Sequence, residues 1–288
     1  MPRASTRTAV LSAGLALIAA LGACGAEPPQ RPGPLMAARP DPRPRADAML
    51  SQVMNKISER GSVHSSVRGS LGMVGELTAE GAVRYRGPRT DLAFEGQTKT
   101  PGNRSPQHLA LSIMDGVGYL RTPLARPAPD KPWLKITPGG ADFGDKLLAP
   151  ALDQLHDAVD PRAAFTGVEP ATRIQTSAPD MVDGKPTTRY ELRIITSQAA
   201  DVADDPQQRD RFRQAADAGE PELGYQLWLD DSGLPARFAA DQEVAQAGEV
   251  SLTSTYRDWG APAEIPVPPA GQIGVFDALP PQAQPPPR

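Results

Sequence analysis

Cysteine is all but missing from these 288 residues: Cys24 is the only one. No intrachain disulfide can form, so the fold relies on an ordinary hydrophobic core. Histidine is almost as scarce. His64, His108 and His156 stand far apart, with no H-x-x-x-H or H-E-x-x-H spacing, which argues against a metal site. Excess positive charge is lacking too. Thirty Lys and Arg face 34 Asp and Glu, a net charge of −4, and such a chain has no basic face for nucleic acid. Neither a G-x-S-x-G elbow nor a G-x-x-x-x-G-K-[ST] phosphate loop occurs. Carboxylate pairs such as Asp204-Asp205 and Asp230-Asp231 fall in loop or turn contexts, without the fixed spacing that acid–base chemistry needs. With no catalytic residue to assign, an enzyme is not expected. Long apolar runs are confined to one, Ala9 to Leu21, about 13 residues against the ~20 that a bilayer core requires.

What is present begins with that run. Arg3 and Arg7 precede it and Leu21-Gly22-Ala23-Cys24 ends it, so a basic start and an apolar segment of signal-peptide length lead through small residues into the cysteine. An ordinary cleavage site reads A-x-A. This one resembles the bacterial lipobox, in which the thiol receives a diacylglyceryl group and cleavage leaves the modified cysteine first in the mature chain. Residues 1–23 are therefore expected to be a lipoprotein signal peptide, and Cys24 the lipidation site. Covalent acyl chains on Cys24, and no other cofactor, would hold the protein on the outer face of the cytoplasmic membrane, since two chains anchor stably where one is marginal.

Prolines, 33 in all, crowd both ends of the chain. Residues 24–45 read as an extended, polyproline-like tether, and residues 263–288 as a proline-rich disordered tail. The tail's one apolar patch is Ile273 to Phe276.

Between these ends the period changes several times. Met49, Leu50, Val53, Met54 and Ile57 carry the stripe of an amphipathic helix, closed by Gly61. Alternation with a period near two follows through Val63–Leu71, Glu80–Arg86, Thr90–Glu95, Leu109–Ile113, Val117–Arg121 and Trp133–Ile136, with Asp115-Gly116 as a strong hairpin signal. A second helical stripe, Leu147 to Val159, ends near Pro161. Strands resume at Arg173–Thr176 and Arg189–Ile194 around an Asp183-Gly184 turn. Residues 198–222 are polar and read as an exposed helix or loop with a solvated face. Leu223–Leu229, Leu234–Glu243 and Glu249–Trp259 complete the series. About ten or eleven antiparallel strands and two apolar-striped helices predict one α+β domain over residues 46–262, a curved half-barrel sheet with helices covering its concave face.

The closing section carries a resemblance. Tyr225-Gln226-Leu227-Trp228-Leu229-Asp230-Asp231-Ser232-Gly233-Leu234-Pro235-Ala236-Arg237-Phe238, followed by Thr255-Tyr256-Arg257-Asp258-Trp259-Gly260, resembles the end of actinobacterial LolA-like lipoproteins of the LppX and LprG type. The order of elements across 46–262 and the lipobox are similar as well. The resemblance implies a monomeric, U-shaped half-barrel that holds acyl chains between sheet and helices and moves or presents lipids and lipoglycans in the cell envelope. It also implies a membrane transporter or other envelope partner. The stretch 198–222 reads as an insertion relative to that pattern, and the tail runs past its usual end.

Lipid carriage asks little of a sequence, because an acyl chain is recognised by apolar area at about 25 cal/mol per Å². The helix residues Leu147, Leu148, Leu152 and Leu155, facing Leu109, Leu111, Ile113, Tyr190, Leu192 and Ile194, are the candidate lining of such a cavity. The same residues can equally pack shut. The chain would then be a closed interaction module, a tethered sensor or accessory subunit of a membrane partner.

Overall fold

Helix α1 (Ala46–Arg60) forms because Leu50, Val53, Met54 and Ile57 recur at helical spacing, and all four are buried. It stops at Gly61, which adopts φ 74° and donates its N–H to the Ile57 carbonyl. The computed structural model describes residues 45–71, 75–100, 105–123, 126–244 and 248–276. The expected signal peptide, Cys24, the tether up to residue 44 and residues 277–288 of the tail lie outside the described residues.

After Gly61, β1 (Ser62–Leu71), β2 (Glu76–Arg86), β3 (Arg89–Lys99), β4 (Gln107–Met114), β5 (Val117–Arg121) and β6 (Trp133–Ile136) form an antiparallel meander. The chain then crosses over through α2 (Phe143–Val159), α3 (Pro161–Phe165) and a 3-10 turn at Glu169–Ala171. A second meander begins with β7 (Thr172–Val182) and β8 (Lys185–Ile195). It passes through α4 (Thr196–Val202) and α5 (Pro206–Asp217) and ends with β9 (Glu222–Leu229), β10 (Pro235–Val244) and β11 (Gly248–Arg257). A short β12 (Ile273–Gly274) follows. All twelve strands belong to one open, curled sheet in the order β12-β6-β5-β4-β3-β2-β1-β11-β10-β9-β8-β7. Pairing of β1 with β11 joins the two meanders near the middle of the sheet. The hairpins at Asp115-Gly116 and Asp183-Gly184 have positive φ at both residues, 52° and 78°, and 50° and 75°, as tight primed turns require.

Register brings the apolar alternation onto one face. Phe94 pairs with Leu111, Leu92 with Ile113, Leu192 with Tyr225 and Leu227 with Phe238. The helices cover this concave face, with α2 touching β1, β6, β10 and β11 as it crosses. Phe165 of α3 meets Tyr225 and Phe238 edge-on at 5.2 and 5.9 Å between ring centroids. At the α2–α3 junction Asp160 caps α3 by accepting the Arg162 N–H. The Arg162 guanidinium, itself buried, donates to Thr90 Oγ1 (2.8 Å), the Gly87 carbonyl (2.9 Å) and Ser58 Oγ (3.2 Å), and lies 4.3 Å over the Tyr85 ring. One buried cation thus ties the crossover to α1 and to the β2–β3 hairpin.

Three details depart from the sequence-based expectation. The described residues form twelve strands rather than ten or eleven, because the tail supplies a short extra one. Residues 263–276, expected to be disordered, lie against the sheet: Ile265 is buried, Ser112 Oγ donates to the Pro266 carbonyl, β12 pairs in parallel with β6, and Phe276 packs beside Leu134 and Leu148. An extended proline-rich segment can lie across a sheet when apolar residues punctuate it, as Ile265, Ile273 and Phe276 do here. The polar stretch 198–222 is helical, one of the two forms expected, but its helices α4 and α5 are not wholly exposed: Ala199, Ala200, Ala203 and Phe212 lie in the core. Four small or aromatic contacts are enough to dock a segment whose other side is solvated.

Candidate functional site

The ten candidate lining residues divide by position on the concave face. Leu111, Ile113, Leu155, Leu192 and Ile194 are buried in the main core, and Leu109, Leu152 and Tyr190 pack against its margin. Leu148 joins a smaller cluster with Leu134, Ile136 and Ala149 near β6. Leu147 alone points to water, 56% exposed, because it lies a helical step away from the line through Leu148, Leu152 and Leu155. Where α2 crosses β5 it presses close, since a Cβ on Gly118 would stand 2.5 Å from a Leu152 methyl.

Open space lies instead beside α1. A groove of about 400 Å³ runs between the helix and the β8–β9 part of the sheet, lined by Met49, Val53, Tyr190, Leu229 and Gly233, with Arg45, Gln52 and Lys56 at its rim. Val53 and Leu229 are buried and form its floor, and Met49 is half-buried. A smaller concavity of about 250 Å³ continues along the helix past Lys56 to Glu59, Arg60, Ser232 and Leu234. The β9–β10 turn that walls both is rigid. Asp230 Oδ1 accepts from the Ser232 N–H (2.9 Å), Ser232 Oγ (2.6 Å) and the Leu234 N–H (3.0 Å), while the Gly233 N–H reaches the Asp230 carbonyl at 2.8 Å. This leaves the Ser232 carbonyl facing α1, where it accepts a hydrogen bond from Lys56 Nζ. Gly233 takes φ 75°, and a Cβ there would come within 2.5 Å of Nζ.

Titratable groups gather elsewhere, on the far half of α2. His156 Nδ1 stands 3.7 Å from Asp157, which also pairs with Arg211 of α5. Burial opposes the charge of His156, but the carboxylates of Asp157, Asp160 and Asp153 outweigh it and raise its pKa. Burial and Asp157 raise the pKa of Asp153. The group joins α2 to α5. Among the described residues, no cluster of His, Cys, Asp and Glu is arranged to hold a metal ion, and no helix is long and apolar enough to cross a membrane.

Of the ten candidates only Tyr190 lines this groove; sequence reading missed its other residues. Met49, Val53 and Lys56 lie at i, i+4 and i+7 of a legible helix stripe, but the opposing wall arises from long-range pairing. Leu229 sits beside Thr188 and Tyr190 beside Leu227 through the β8–β9 ladder, and no local pattern announces that.

No family model matches the chain, and a search of curated proteins finds no match. Among solved structures it is similar to LprF from Mycobacterium bovis, at 18% identity and a TM-score of 0.46, over 79% of this chain and 98% of that one. It is also similar to a chain of the Pseudomonas aeruginosa MucA/MucB complex, at 14% identity and a TM-score of 0.29, over 72% of this chain and 55% of that one. A DUF1329 family protein from Desulfovibrio piger shows 8% identity and a TM-score of 0.22, over 75% of this chain and 92% of that one. The fold itself is α+β: one curled sheet, antiparallel except for the β12–β6 pair, with helices gathered on its concave face.

Proposed function

We propose that this protein is an envelope lipoprotein, anchored through Cys24 on the outer face of the cytoplasmic membrane, that binds lipids or lipoglycans and presents or transfers them. The observation that supports the reading best is the groove beside α1. At about 400 Å³ it falls within the ~300–1,000 Å³ usual for small-molecule sites, and its floor of Met49, Val53 and Leu229 is apolar. Each methylene withdrawn from water onto such a floor contributes about 0.8 kcal/mol, so one acyl chain binds there without any polar contact. The resemblance of the closing section to lipid-carrying lipoproteins agrees with this reading.

Native mass spectrometry of the full-length protein, extracted from its own membrane in mild detergent, tests the proposal. The expected result is an adduct of lipid mass beyond the covalent anchor, lost when Met49 is replaced by Trp to fill the groove. A protein that emerges free of lipid, and takes up none from added vesicles, would sink it.

The filled core favours a second reading. Leu111, Leu192 and Ile194 are packed against other side chains, as in a closed, tethered interaction module. Crosslinking in the native membrane would then give one dominant protein partner, and no lipid.

A further inference from the structure

Both concavities beside α1 include Lys56. Met49, Gln52, Val53, Lys56 and Arg60 fall at i, i+3, i+4, i+7 and i+11, so they share one side of the helix. From Arg45 to Arg60 that side is about 22 Å long. Lys56 therefore stands where the two concavities adjoin. Its inner neighbours are apolar, and its ammonium is exposed.

The partners of that ammonium are unequal to its charge. Lys56 Nζ donates to the neutral carbonyl of Ser232, and among the described residues no carboxylate pairs with it. Arg45, at the far end, already pairs with Asp47 at 3.1 Å. Glu59, in the smaller concavity, forms no ion pair among the described residues. A hydrogen bond from an ammonium to an anionic oxygen is stronger than one to a neutral carbonyl, so an arriving anion would outcompete Ser232. Space for the ammonium is kept by Gly233, whose missing side chain would otherwise reach Nζ.

Resting on the reading of the groove as an acyl-chain site, we propose that Lys56 is its headgroup site. The ligand is an anionic amphiphile. Its apolar chain lies on Met49, Val53 and Leu229, and its carboxylate or phosphate oxygen accepts from Lys56 Nζ in place of the Ser232 carbonyl. No covalent step is involved, and the exchange leaves the β9–β10 turn intact because Asp230 holds it from within.

Fluorescence titration of the full-length protein with dansyl-undecanoic acid and with its methyl ester separates head from chain. The wild-type protein should bind the acid about tenfold more tightly than the ester, the difference between a charge-assisted and a neutral hydrogen bond. Lys56→Met keeps the aliphatic stem and should abolish that preference while leaving ester affinity within about twofold; Lys56→Arg should retain it. Equal binding of acid and ester by the wild type, or an undiminished preference in Lys56→Met, would overturn the assignment while leaving the acyl groove standing. Failure of both probes to bind would instead remove the groove reading itself. Inorganic phosphate should displace neither probe. Displacement of the acid by phosphate as effective as that by unlabelled fatty acid would make Lys56 a free-anion site and overturn the proposal.

Discussion

Asp160 and Arg162 stand two residues apart at the α2–α3 junction, with side chains 2% and 9% exposed. Replacing Asp160 by Asn leaves the shape and removes the charge, so Arg162 keeps its neutral hydrogen-bond partners but loses its paired carboxylate. The expected loss is about 3–5 kcal/mol, read as a lower urea midpoint, and the double variant with Arg162→Met should recover part of it. His156 brings a pH dependence of definite sign. Its folded pKa is raised by Asp157, Asp160 and Asp153 against the opposing effect of burial, with Arg211 the nearby cation. The stabilisation is complete below the unfolded histidine range near ~6.5 and is lost as pH rises through the higher folded value. A plot of Tm against pH should fall across that window and flatten in His156→Gln. Neither feature was legible in the sequence. Asp160 and Arg162 look like ordinary loop charges beside Pro161, and only the meeting of α1, α3 and the β2–β3 hairpin makes them a buried pair.

Elements declared themselves far better than contacts did. Eleven strands and both apolar-striped helices stand where periodicity and turn chemistry put them, because Asp115-Gly116, Asp183-Gly184 and Asp230 to Gly233 mark the hairpins locally. β12 escaped because two residues carry no period, and its proline-rich surroundings read as disorder. Yet the segment that carries it is attached at several points, including the Gly144 N–H on the Phe276 carbonyl at 3.2 Å. Phe276→Ala should therefore cost about 1–3 kcal/mol, toward the low end for a half-buried aromatic. It should also speed hydrogen exchange at the β6 amides, which lose the strand beside them, without altering exchange in β8 and β9. Unchanged protection at β6 would show that Phe276 contributes nothing to the edge. The opposite edge strand, β7, is blunted differently, by a bulge between Ile174 and Thr176 and by Pro179, both common devices against edge-to-edge pairing.

At the scale of the whole molecule, the proposed anchor at Cys24 lies apart in sequence from the described domain, which begins at residue 45. The described domain is built from residues beyond the proposed lipidation site, and α1 begins its core. Cys24→Ser should therefore move the protein from the membrane fraction to the soluble fraction, with thermal midpoint unchanged; a drop in that midpoint would mean that the region before residue 45 supports the core. What the sequence did not convey was which part of the helix-covered face would be filled and which left open, because that depends on how far α1 and α2 stand from strands that approach them from distant parts of the chain.

The β1–β11 seam also orders events in time. A chain made from its N-terminus delivers β1 early, but the strand that flanks it on the β11 side arrives some 190 residues later, as the register of His64 with Arg257 shows. Until then the middle of the finished sheet is an unsatisfied edge, and contacts of such long sequence separation form slowly. A slow step before protease resistance appears is the cost of closing the sheet at its centre.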